Sequence, residues 1–213
     1  MMSWGEVVEY SDFLALTHEG SEEFATPMRF AKVLHLDEFG RRRITPMRWG
    51  FPRRDAKDPN ERPEHIHARA ESIDTRPTFR EAFLHRRGLL VVRSFNEGEE
   101  LAPRRTVQHV IRPKDGKPLA IAVIWDRWVN RNDGELNLFV MITVPANALI
   151  GQITDRMPAI IRPEDWGRWL GEVPASPEEI KSLLRSFDGD WEMVRQSALP
   201  RAPKPPRPQP DLI

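Results

Sequence analysis

The chain has 213 residues, 39% hydrophobic and 30% charged, enough for one substantial core but not for several independent domains. Its 32 basic residues balance 32 acidic ones, which excludes a bulk positive field, so any nucleic-acid partner must be held by a local patch. There is no cysteine, which rules out disulfides, thiolate metal sites and a thiol nucleophile, and no apolar run approaches the roughly 20 residues that cross a bilayer. With acidic Glu6, Glu9 and Asp12 in place of a secretory leader, the expectation is a cytoplasmic monomer with no membrane association and no cofactor.

In chain order, residues 11–18 suggest a short helix with Ser11 as N-cap. Alternation over residues 30–36 and 43–51, with a turn at 37–40, predicts a β-hairpin, and residues 52–63 carry charges, Pro59 and Asn60 without periodicity, a surface loop. Pro77 opens a helix that places Phe79, Phe83 and Leu84 on one face, and Gly88 is expected as its C-cap. Strands are predicted at 89–95, 106–111, 119–125 and 136–144, mainly antiparallel. A short helix over 145–153 and a strand over 156–161 follow. Trp166, Trp169 and Leu170 then mark a helical face, and Ser176-Pro-Glu-Glu is a capping box opening a helix to Phe187. Six prolines from Pro200 to Pro210 require an extended tail, which divides the chain into a domain at 1–199 and a tail at 200–213.

The candidate chemistry is concentrated between His65 and Glu97. Glu97 follows an apolar strand, where partial desolvation raises a carboxyl pKa toward general acid–base use, although Glu99 and Glu100 close behind suggest a solvated turn. On a strand, His65 and His67 would face one way and could hold a metal, but no third ligand is placed by the sequence, so no metal is expected. Arg69 and Arg156 could clamp a phosphate, or could be ordinary ion-pair partners. Trp49, Trp125, Trp128, Trp166 and Trp169 read as core. The residues alone specify an α+β domain of unstated function.

Met47-Arg-Trp-Gly, His67-Ala-Arg-Ala-Glu-Ser, Pro77-x-Phe-Arg-Glu-Ala-Phe-x-x-Arg-Arg, Asp115-Gly-x-Pro-Leu-Ala, Trp125-Asp-Arg-Trp and Asp155-Arg-Met-Pro-Ala-Ile-Ile-x-Pro-Glu-Asp-Trp occur in a fixed order. That order resembles the SOS-response-associated peptidase (SRAP) family over roughly residues 24–171. The resemblance implies a single compact α+β domain, a mainly antiparallel, barrel-like core with flanking short helices. It also implies a groove for single-stranded DNA where the family links covalently to abasic sites through a cysteine after the initiator methionine. By the same resemblance Glu97 is the acid–base residue, Arg69 and Arg156 contact phosphates, and Pro27, Arg48, Arg53 and Arg54 border the DNA.

The departures are specific. Met2 stands at the family's cysteine, His67 at its asparagine, Thr154 at its histidine, and Asn96 and Gly98 flank Glu97 where the family has aromatics. Arginines suffice to hold a phosphate backbone, whereas aldehyde capture needs a nucleophile and proton shuttles. The expected function is recognition of single-stranded or abasic DNA in the damage response, with crosslinking weakened or lost, and with Arg69 and Arg156 meeting on an open groove, neither pairing internally. Glu97 is expected in one cleft with Thr154 and His67. One alternative is an active enzyme using the α-amine of Ser3, its chain trimmed after Met2. Another is a protein-interaction module in which the Pro203-x-x-Pro206 tail engages a partner.

Overall fold

The computed structural model of the chain describes residues 25–53, 55–58, 61–103, 105–130 and 134–196. Ser3, the helix expected at 11–18, Arg54 and the proline-rich tail lie outside them.

Alternation of apolar and polar residues builds the first hairpin, β1 (Phe30–Leu36) and β2 (Arg42–Trp49), with Gly40 in left-handed backbone at its tip. A short β3 (His67–Arg69) precedes α1 (Pro77–His85), whose Phe79, Ala82 and Phe83 are buried. After α1 come β4 (Arg87–Val92), β5 (Phe95–Ala102), β6 (Arg105–Pro113), and the long hairpin β7 (Leu119–Asn130) and β8 (Gly134–Pro145). Then follow β9 (Arg156–Pro158), α2 (Trp166–Leu170), α3 (Pro177–Ser182) and β10 (Trp191–Arg195).

The strands run in the order β2-β1-β4-β7-β8, and a parallel pairing of Arg48 and Trp49 with Leu138 and Phe139 joins the two ends. The result is a closed five-stranded barrel, a compact α+β domain with few short helices, as expected. Paired residues share a side of the sheet, so Val33, Gly88, Val123, Met141, Phe139 and Trp49 form an interior set, with Trp49 and Phe139 stacked at 5.9 Å. β3 and β9 extend the sheet along opposite edges of β8 past the barrel. A second sheet, β10-β6-β5, turns Phe95, Ile111 and Trp191 inward.

Several local expectations are corrected. Gly88 does not cap α1; it is a strand residue, and the helix end is closed instead by the Arg87 guanidinium, which donates to the carbonyls of Phe83 (2.8 Å), Leu84 (2.6 Å) and Trp169 (2.5 Å). Burial lowers the pKa of Arg87 without removing its charge. The apolar stretch after Pro145 forms only a 3-10 turn, Ile150–Gln152, because the Asn147 side chain accepts the amide hydrogens of Leu149 and Ile150 in a local turn that competes with a helix. The capping box at Ser176 and Glu179 is present, but α3 ends at Ser182.

Candidate functional site

The positions of the candidate residues follow from the alternation along β8. Phe139, Met141, Thr143 and Pro145 share one side of that strand; His67 pairs with Met141 and Arg69 with Thr143 on one edge, and Arg156 pairs with Pro145 on the other. His67, Arg69, Thr143 and Arg156 therefore lie on the continuation of the barrel's interior-facing surface, just beyond its end. The opposite side of the same strands is core: Ala68, Ile142, Val144 and Met157 are fully buried.

Within this cluster the two arginines differ. Arg69 is exposed and forms no hydrogen bond or ion pair with a described residue. Arg156, expected to be free of internal partners, is not: Nη1 and Nη2 donate to the two carboxylate oxygens of Glu71 at 2.5 and 2.9 Å, and Nη2 also donates to the Thr143 carbonyl at 2.7 Å. Glu71 sits in a 3-10 turn (Ala70–Ser72) directly after Arg69. The Arg156 hydrogen bonds lower its carboxyl pKa against the opposing effect of burial, and the charge of Arg69 acts in the same direction as Arg156. Lys181 of α3 anchors this turn through the Glu71 carbonyl (3.2 Å) and the Asp74 carboxylate (2.7 Å). Glu71 and Thr143 were not singled out from sequence; the available signal was the placement of Glu71 in the same block as Arg69.

His67 has part of its surface exposed, but its ring lies 5.9 Å from Trp49, and desolvation there lowers its pKa. His65, expected beside it on one strand face, is instead in an isolated bridge to Phe51 and packs edge-on against Phe79 at 5.2 Å. Among the described residues no group of three or more acidic or histidine side chains could hold a metal ion. Thr154 is half-buried in the loop after the Ile150–Gln152 turn, its amide donating to the Ile150 carbonyl.

Glu97 is not in a solvated turn. It lies within β5, opposite His109, on the side that carries Phe95 and Ile111, and burial pushes its carboxyl up to about 7. Beside it, buried His109 bonds Glu99 through Nε2 at 2.9 Å. Among the described residues no hydrogen bond or ring contact joins Glu97 to His67 or Thr154. The remaining candidates are dispersed: Arg48 is 3% exposed and donates to the Glu61 carbonyl, Arg53 pairs with Asp55 on the surface, and Pro27 sits in an exposed turn ahead of Met28, whose φ is 71°.

The profile of the SOS response associated peptidase family matches residues 15–198. The chain belongs to the SRAP family. It is 31% identical over 163 residues to the abasic site processing protein YoqW of Bacillus subtilis, covering 76% of this chain and 73% of that protein. To the abasic site processing protein YedK of Escherichia coli it is 27% identical over 145 residues, 68% of this chain and 59% of YedK. A solved Bacteroides thetaiotaomicron structure superposes with a TM-score of 0.67 at 24% identity, covering 79% of this chain and 74% of that one, and so shares the fold. Within this SRAP chain the arginine cluster and the Glu97 strand occupy two different sheets.

Proposed function

We propose that this SRAP protein recognises abasic sites in single-stranded DNA and that its crosslinking chemistry is weakened. Support for recognition comes from the exposed cation of Arg69 on the open end of the barrel, which makes no ion pair with a described residue, in a chain whose relatives are named abasic site processing proteins. Phosphate contacts need only charge and donors, and Arg69 offers an exposed guanidinium that is in no ion pair with a described residue. Weakened chemistry is supported by the sequence, which contains no cysteine, and by His67 and Thr154 standing where the resemblance expects an asparagine that positions the aldehyde and a histidine that moves its protons. Glu97, which holds or releases a proton near pH 7, is the group best suited to the remaining acid–base work.

Arg69→Ala tests recognition. Binding to an abasic single-stranded oligonucleotide should weaken, and the slope of log K against log salt should become shallower by about 0.7, the share of one contact. An unchanged affinity and slope would remove the DNA reading. A chain beginning at Ser3 should give an adduct only when borohydride is present to reduce the imine that its α-amine forms, with loss of water, on the abasic aldehyde; abundant adduct without reductant would show that the chemistry is intact.

A further inference from the structure

The arrangement of Arg69, Glu71 and Arg156 has a property that the DNA reading does not use. The Glu71 carboxylate engages Arg156 with both oxygens, and Arg69 lies one residue ahead of the turn that carries it. A carboxylate held end-on by a guanidinium matches the geometry by which arginine takes a phosphate. The Glu71 side chain is 51% exposed, while Arg156 is 20% exposed. What solvent meets of this pair is thus largely the acidic partner.

We infer that Glu71 is an internal occupant of the phosphate position at Arg156, so that DNA engages Arg156 only by exchanging one of its phosphates for the Glu71 carboxylate. The inference rests on the DNA reading for its ligand but not for its geometry. Arg156 keeps its place without Glu71, because Nη2 also donates to the Thr143 carbonyl on the neighbouring strand. The turn keeps its place too, since Lys181 grips its backbone and Asp74. What the exchange moves is one side chain. As long as Glu71 compensates Arg156, that arginine releases few counterions on binding, and the measured salt dependence comes from Arg69 and others.

Glu71→Gln keeps the size of the side chain and a hydrogen bond to Arg156 but removes the competing charge. Affinity for single-stranded DNA should rise by about fivefold at 0.1 M salt and the salt slope should steepen by about 0.7, the two being one quantity: 0.7 of a counterion over a tenfold dilution from 1 M. Arg156→Ala should leave the slope nearly unchanged in the wild-type background and abolish the gain in the Glu71→Gln background. Weaker binding in Glu71→Gln, or an unchanged affinity and slope, would overturn the inference and make Glu71 a support for Arg156. Inorganic phosphate supplies a readout free of DNA: it should raise the melting temperature of Glu71→Gln more than that of the wild type, and equal shifts would count against exchange. If wild type binds no DNA the function above fails, yet the phosphate comparison still decides the role of Glu71. Should Glu71→Gln not fold, Glu71→Asp, with the charge kept but one methylene less reach, should give an intermediate gain in affinity; no gain would overturn the exchange.

Discussion

Glu97 shows how a backbone ladder sets the chemistry of a single side chain. Read as sequence, the run Glu97, Gly98, Glu99, Glu100 has the composition of a solvated turn. In the structure it is strand, and alternation sends Glu97 to the side occupied by Phe95 and Ile111 while Glu100 stays exposed. Burial disfavours the anion, so the folded chain keeps the Glu97 proton up to about pH 7, whereas a solvated glutamate carboxyl releases it at 4.5. The folded state therefore binds more protons than the unfolded state between those values, and stability falls as pH rises through that window, by at most about 3 kcal/mol. His35 acts on the acid side. Its ring bonds Thr45 at 2.8 Å, and burial lowers its pKa below 6.5, so stability is lost as pH falls beneath 6.5. Melting measured from pH 4.5 to 8 should show Glu97→Gln losing the decline toward pH 7 and keeping the one attributed to His35. A Glu97 midpoint near 4.5 by NMR would mean that the carboxylate is solvated and that the acid–base role proposed for it is wrong.

At the level of elements, sequence periodicity located what burial imposes on a whole segment and missed what single side chains decide. The strand at 30–36 and the capping box at Ser176 were legible because each is a local pattern. The 3-10 turn after Asn147 was not, since a side chain taking two amide hydrogens leaves no trace in hydrophobic spacing. β10 was missed for a related reason: Trp191–Arg195 is a short edge strand specified by its pairing with β6. Gly88 was recognised as necessary but for the wrong reason. An added Cβ there would lie 2.7 Å from Val33 Cγ1, 3.0 Å from the Leu34 carbonyl oxygen and 3.2 Å from Val123 Cγ2, so glycine is required by interior space in the barrel. Gly88→Ala should cost about 1–3 kcal/mol, read as a lower denaturation midpoint at unchanged m-value, because the carbonyl it meets belongs to β1 backbone.

For the molecule as a whole, the family resemblance carried Arg69 and Arg156 to one place, and spacing could not have done so, since 86 intervening residues close only through the pairings of β8. Resemblance gave the cations but not their state: the Glu71 carboxylate on Arg156 is a tertiary contact between a turn and a strand edge. Similarly, the packing of Trp49, Trp125, Trp166 and Trp169 as core was legible in the sequence, with Trp166 and Trp169 bonded through their indole N–H groups to Ile161 and Gly88, whereas Trp128, expected with them, is only partly buried against the core.

One strand, β8, has neighbours along both edges over residues 138–143: β2 and then β3 on one side, β7 and then β9 on the other. Its amides cannot reach solvent by peeling an edge, so hydrogen–deuterium exchange in this stretch should be the slowest in the protein and should proceed only through global unfolding. The arginine cluster hangs from that same stretch, whereas the Glu71 turn is held chiefly by side chains. On the proposed reading, adding single-stranded DNA should slow exchange at residues 67–72 and leave the 138–143 amides at their original rate, because the proposed contacts sit on a margin mounted on the part of the chain that opens last.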